Sequence, residues 1–153
     1  MPDPARARPR IALAFDYGRR RIGMAAGDTL TGTAAPRPAA PAHDGVPDWA
    51  AIGREILTLS PQVLVVGVPY NADGSEGSLA PATREFAQGL RARFALPVEH
   101  VDEHGSSIEA GRALKEQRAS GQRRRRVQRQ DIDSAAAAII LMRWLAGEGD
   151  RNS

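Results

Sequence analysis

Four consecutive apolar residues, Val63-Leu64-Val65-Val66, stand between Gln62 and Gly67 with no polar residue among them to alternate against. A strand of that kind has no face to give to water, so it belongs in the middle of a partly parallel sheet with helices on both sides. The flanking elements agree. Ile11 to Phe15 reads as a buried strand ending at Asp16, Tyr17 to Arg21 as a short polar turn, and Ile22 to Gly27 as a second strand closing a hairpin. Thr31 to Pro38 reads as a third, weaker strand and residues 39–47 as a loop rich in Ala, Pro, Gly and Asp. A helix is expected from Asp48 to Leu59, with Trp49, Ile52, Ile56 and Leu59 on one face and Pro61 to end it. Leu79 to Phe94 reads as a second helix and Pro97 to Asp102 as another strand. Ser106-Ser-Ile-Glu109 fits a capping box opening a helix that ends near Gly121, and a last helix runs from about Ile132 to Ala146. Hairpin strands followed by alternating helices and strands give an α/β fold with a parallel portion of sheet.

The chain has 153 residues, 42% of them hydrophobic, without internal repeats or a dividing linker. One domain over residues 10–147 is expected, with a flexible tail at 1–9 and a disordered one at 148–153. No apolar run approaches the roughly 18–20 residues that span a bilayer, and the N-terminus lacks a secretory pattern, so a cytoplasmic protein with no membrane partner is the expectation. Cysteine is absent, which leaves carboxylate, His and hydroxyl chemistry.

Charge is badly mixed. The net formal charge is +3, yet residues 1–21 hold six Arg against two Asp, and residues 112–129 hold seven Arg and one Lys against one Glu. Of the 21 cations, 20 are arginine, whose planar fork matches phosphate, so the segments read as a footprint for a polyanion. The bland alternative is a solvated Arg-rich loop.

Parallel sheets carry their chemistry at the carboxyl ends of their strands. Two expected strands end there in acids, at Asp16 and at Asp102-Glu103, and Asp133 stands at the start of the last helix. Each has an ordinary explanation alone: a turn residue, a solvated strand end, or a helix N-terminal acid worth roughly 0.3–1 kcal/mol. Together they would repel unless a cation lay between them, and oxygen donors without Cys or clustered His suit Mg²⁺ or Mn²⁺. Two such ions about 3.5–4 Å apart could activate water against a phosphodiester.

The residues also resemble a known family. Phe15-Asp-Tyr-Gly-Arg-Arg-Arg-Ile-Gly23-Met-Ala is similar to the opening motif of the YqgF (RuvX) family of RNase H-like proteins. Val66-Gly-Val-Pro-Tyr-Asn-Ala-Asp-Gly-Ser-Glu-Gly77 resembles its Gly-Leu-Pro loop. Val101-Asp-Glu103 with Ser106-Ser107-Ile-Glu109-Ala resembles its acid block, and Arg123 to Val127 followed by Asp133-Ser-Ala-Ala its basic run and final helix. The blocks fall in order over roughly residues 10–146. Members are described as Holliday junction resolvases and as pre-16S rRNA processing nucleases. The resemblance implies an RNase H-like mixed sheet of five strands, three antiparallel and two parallel, flanked by helices. It implies catalytic roles for Asp16, for the Asp102-Glu103 pair with Glu103 preferred, and for Asp133 rather than Asp131. Asp16, Glu103 and Asp133 would then hold Mg²⁺ or Mn²⁺. The chain departs from the pattern at His104-Gly105, where the family usually has Arg and an apolar residue; His104 then either faces solvent or takes over as a donor.

Arg19, Arg20 and Arg21 beside Asp16 are candidates for clamping substrate near the cut, and Arg123, Arg124, Arg125 and Arg126 for holding phosphates further out. Asn71 and Ser75, in the loop after the Val63–Val66 strand, either touch the substrate backbone or serve the Asp73-Gly74 turn. The partner is RNA or branched DNA. Paired cuts in a junction favour a homodimer, whereas an RNA-trimming enzyme works as a monomer. Two rivals stand beside this reading: a non-catalytic nucleic-acid-binding or ribosome-assembly factor that keeps the fold, and an actin-like ATP-using enzyme, for which 153 residues supply only one of the two lobes required.

Overall fold

The computed structural model describes residues 10–71, 73–103 and 129–147. Strands β1 (Ile11–Asp16), β2 (Arg21–Asp28) and β3 (Ala34–His43) form an antiparallel meander, extended by the two residues of β4 (Val46–Pro47). Helix α1 (Trp49–Leu59) leads to β5 (Val63–Pro69), helix α2 (Ala80–Phe94) to β6 (Val98–Glu103), and helix α3 (Arg129–Leu145) closes the described chain. The strand order is β4-β3-β2-β1-β5-β6, with β5 parallel to both β1 and β6. Val63 to Val68 are all buried, as a strand with no solvent face must be.

The sheet has six strands rather than five. The segment expected to be a loop, residues 39–47, instead prolongs β3 to His43 and adds β4. Its Pro and Ala composition carries no strand signal. Pairing comes from β2, which offers Arg21 and Ile22 to Pro41 and Ala40 across a register shift between Ile22 and Met24.

Each helix begins or ends where local chemistry directs. The Asp48 carboxylate accepts from the Ala51 N–H at 3.1 Å and caps α1, and Ser60 in the left-handed region closes it through the Ile56 carbonyl. Pro81 sits in the first turn of α2, where its missing N–H costs nothing. Helices α1 and α2 cover one face of the sheet over Leu13, Phe15, Ile22, Leu64 and Val66. Helix α3 covers the other over Ala12, Ala14, Ala25, Val63, Val65 and Val101 with Ile140, Leu141 and Trp144. Burying each large apolar side chain stabilises by roughly 1.5–3 kcal/mol, so the two cores fix the helices on the sheet. Among the described residues no helix is long and apolar enough to cross a membrane. The tails, the helix expected after Ser106, His104-Gly105 and the Arg123–Arg126 run lie outside the described residues.

Candidate active site

Strand pleating decides which acids meet. Successive side chains point to opposite faces, so Asp16 follows Ala12 and Ala14 toward α3, and Glu103 follows Val101 to the same side. Between them lies β5, and the residue interposed on that face is Gly67. A Cβ built there would meet Ile140 Cδ1 at 2.4 Å and crowd Glu103 Oε2 at 3.3 Å, so glycine at this position keeps open the passage by which the glutamate reaches across β5. The Glu103 and Asp16 carboxyls face one another within hydrogen-bonding reach, an arrangement that favours a proton on Asp16.

The third acid arrives from the other flank. Gly23 of β2 pairs directly with Asp16, and a Cβ on it would lie 2.0 Å from the Asp133 carbonyl oxygen. Helix α3 therefore presses its beginning onto the strand beside Asp16 because position 23 is glycine. The helix is pinned there by Ser134, whose hydroxyl donates to the Arg37 carbonyl at 2.7 Å, and by Arg21, whose Nε donates to Asp133 Oδ2 at 2.9 Å.

Asp16 is buried, 9% exposed, in a setting that disfavours its charge. Burial pushes its carboxyl well above the ordinary carboxylate range; the hydrogen bond to Glu103 and the negative charges of Glu103 and Asp133 push the same way. Glu103 is raised too, by burial above all, with the contact to Asp16 and the Arg143 charge opposing and the Asp133 charge adding a little. Such an arrangement stores repulsion that either a proton or a cation relieves, and its donors are all hard oxygens. Among the described residues no three acidic or His side chains converge as a ready-made metal cage: Asp133 is turned to Arg21 while Asp16 and Glu103 face one another.

Asp102 stands apart. The pleat points it to the opposite face from Glu103, its side chain is exposed, and its backbone carbonyl accepts from Arg143 Nη1 at 3.1 Å. Arg19 and Arg20 are exposed in the turn after Asp16, their carbonyls held by the N–H groups of Gly45 and Ala42. Asn71 and Ser75 lie at the same sheet end, but Asn71 Nδ2 donates to Ser75 Oγ at 3.1 Å and Ser75 Oγ donates to Asp73 at 2.6 Å, closing a turn. Gly23 and Gly67 stand inside the sequence motifs without any chemistry of their own, yet they are what allow the acids to approach. Arg143 is a site residue that sequence reasoning misses; its only signal is a cation in the last turn of a helix.

A profile of the RuvX family, described as Holliday junction resolvase, matches residues 10–147. The chain belongs to the RuvX family. Curated relatives of this RuvX-family chain bear the name "Putative pre-16S rRNA nuclease". One from Coxiella burnetii (strain Dugway 5J108-111) is 49% identical over 135 residues, covering 88% of this chain and 92% of the relative. Another from Nitrosococcus oceani is 43% identical over 143 residues, 93% and 90% of the two chains. Among solved structures, the fold is that of Thermus thermophilus RuvC in complex with a Holliday junction substrate, at a TM-score of 0.51 and 12% identity over 91% of this chain and 95% of that one. Yeast mitochondrial Holliday junction resolvase Ydc2 matches with a TM-score of 0.51 and 11% identity over 88% and 78%. These likenesses establish an RNase H-like α/β fold, and the family and its named relatives are nucleases.

Proposed function

We propose that this RuvX-family chain hydrolyses phosphodiester bonds in structured nucleic acid with a divalent cation, Mg²⁺ or Mn²⁺, held by Asp16, Glu103 and Asp133. The observation that carries the reading is the buried Asp16 carboxyl at a sheet end where Gly67 lets Glu103 approach from one side and Gly23 lets the start of α3, with Asp133, approach from the other. The cation, when bound, supplies activated water and neutralises charge at the phosphorus. The chain's own residues do the rest. Asp16 and Glu103, with Asp133, would hold the cation, whose charge would relieve the repulsion between their carboxylates, and burial beneath α3 limits screening by bulk water. Arg21 leaves Asp133 for a substrate phosphate, and Arg19 and Arg20 hold the flanking phosphates. The Arg123–Arg126 run adds sequence-independent affinity. The names of the relatives favour an rRNA precursor over branched DNA.

The test is a cleavage panel of structured RNA, four-way DNA junction and single-stranded DNA, with and without Mg²⁺ or Mn²⁺, for wild type and Asp16→Asn. Divalent-dependent cleavage of at least one substrate, lost in the variant, is expected. Tight binding without cleavage of any of them would instead favour the non-catalytic, nucleic-acid-binding reading.

A further inference from the structure

On the sheet face opposite the acids, a cleft of about 670 Å³ opens between the β3–β4 turn and α2. That volume lies within the roughly 300–1,000 Å³ of small-ligand clefts. Its wall is an ordered stack: Phe86 packs on Trp49 with ring centroids 5.6 Å apart and planes at 18°, and the Arg93 guanidinium lies over the indole, 4.1 Å from the ring centroid. Gly89 lets α2 lie that close, since a Cβ there would meet the indole at 2.9 Å. The ring of Tyr17, 5.3 Å from Phe86, forms the inner end, fixed by its hydroxyl donating to the Gly45 carbonyl at 2.7 Å. Arg19, three residues after Asp16, also lines the cleft, as do Asp44 and Glu85.

We propose that this cleft receives one unpaired nucleobase of the strand bound at the acidic site, stacked against the Arg93 plane; the inference rests on the nucleic-acid reading above. The chemistry selects that occupant. Two carboxylates and two guanidiniums line the cleft, so its charges balance and give a free anion no net attraction, whereas a flat uncharged ring with polar edges matches an aromatic and guanidinium stack. The geometry places it. Tyr17 directly follows Asp16, with Cα atoms about 3.8 Å apart, and the strand pleat sends the two side chains to opposite faces of one sheet end. A strand crossing that end sets a phosphate at Asp16 and an adjacent base at Tyr17, with Arg19 between them for the intervening backbone.

The experiment compares single-stranded oligonucleotides of about twelve residues with fully abasic backbones of the same length, bound in EDTA to the full chain and to Arg93→Ala, by fluorescence anisotropy. Arg93 is exposed on α2, and a melting curve checks that the variant is folded. For wild type the bases are expected to tighten binding about tenfold or more; in Arg93→Ala that ratio should fall at least threefold while affinity for the abasic backbone changes less. A ratio that is the same in both proteins, or no preference for bases in wild type, overturns the proposal. Cleavage is not read in EDTA, so failure here leaves the nuclease reading standing, and failure of the cleavage panel leaves this result standing.

Discussion

Arg21 Nε donates to Asp133 Oδ2 at 2.9 Å, tying the first residue of β2 to the beginning of α3 across 112 positions of chain. On the reading proposed above, a divalent cation would need the Asp133 carboxylate that this guanidinium holds, and the two would compete for it. Arg21→Gln is therefore expected to lower the Mg²⁺ concentration at half-maximal cleavage by severalfold, even where the maximal rate falls because a substrate phosphate has one cation fewer to hold it. A Mg²⁺ titration of cleavage measures both. An unchanged or higher half-maximal concentration would refute the competition.

Asp16 links stability to pH. Its folded carboxyl is raised by burial and by Glu103 and Asp133, so the folded protein keeps a proton that the unfolded chain releases in the ordinary carboxylate range. The favourable contribution is complete below that range and is lost as pH rises through the raised folded value. Asp16→Asn, which cannot ionise, should match wild type in melting temperature near pH 4 and exceed it by a few degrees at pH 8, while cleavage falls at least about a hundredfold. Added Mg²⁺ should raise the melting temperature of wild type at pH 8 and leave the variant nearly unchanged. A melting difference independent of pH would contradict the buried shared proton.

Gly67→Ala tests the passage across β5. Its new methyl would meet Ile140 Cδ1 at 2.4 Å and Glu103 Oε2 at 3.3 Å. Overpacking of this kind costs about 1–3 kcal/mol, read by urea denaturation, and the displaced Glu103 should weaken Mg²⁺-dependent cleavage beyond what the stability loss explains. Wild-type stability and activity in this variant would show that the open passage is not needed.

Replacing Arg123, Arg124, Arg125 and Arg126 by Ala tests the basic run. Binding should weaken at low salt, and the slope of log affinity against log salt should flatten by up to about three units, roughly 0.7–0.9 for each phosphate that the variant no longer neutralises. An unchanged slope would make the run a bystander.

The elements easiest to read from sequence were those with a single physical demand. Val63 to Val66 had nothing polar to expose, and Asp48 and Pro61 bracketed α1 by capping and by a missing donor. The strand end at Asp16 was legible for the same reason, since a lone acid after a buried apolar run stands out. What stayed hidden depended on partners distant in sequence. The prolongation of β3 through Ala39 to His43 exists because β2 supplies a bulged partner, which no local propensity in a Pro- and Ala-rich stretch announces. The preference for Glu103 over Asp102 rests on the family resemblance alone; that Glu103 is the one on the face of Asp16 follows from Val101, two residues back along the pleat, facing α3. The aromatic cleft joins Tyr17, Trp49 and Phe86 from three separate elements, so none of its three aromatic rings carries a motif.

Beyond its short pairing with β4, strand β3 offers a rim that carries Pro36 and Pro38, neither of which has an N–H to give. Edge-on growth of the sheet by a foreign strand is thereby poorly supported on that side, a safeguard against fibrous self-association. Should two copies of this chain ever act side by side on one substrate, the ribbon-to-ribbon route along β3 is the least suitable way for them to meet.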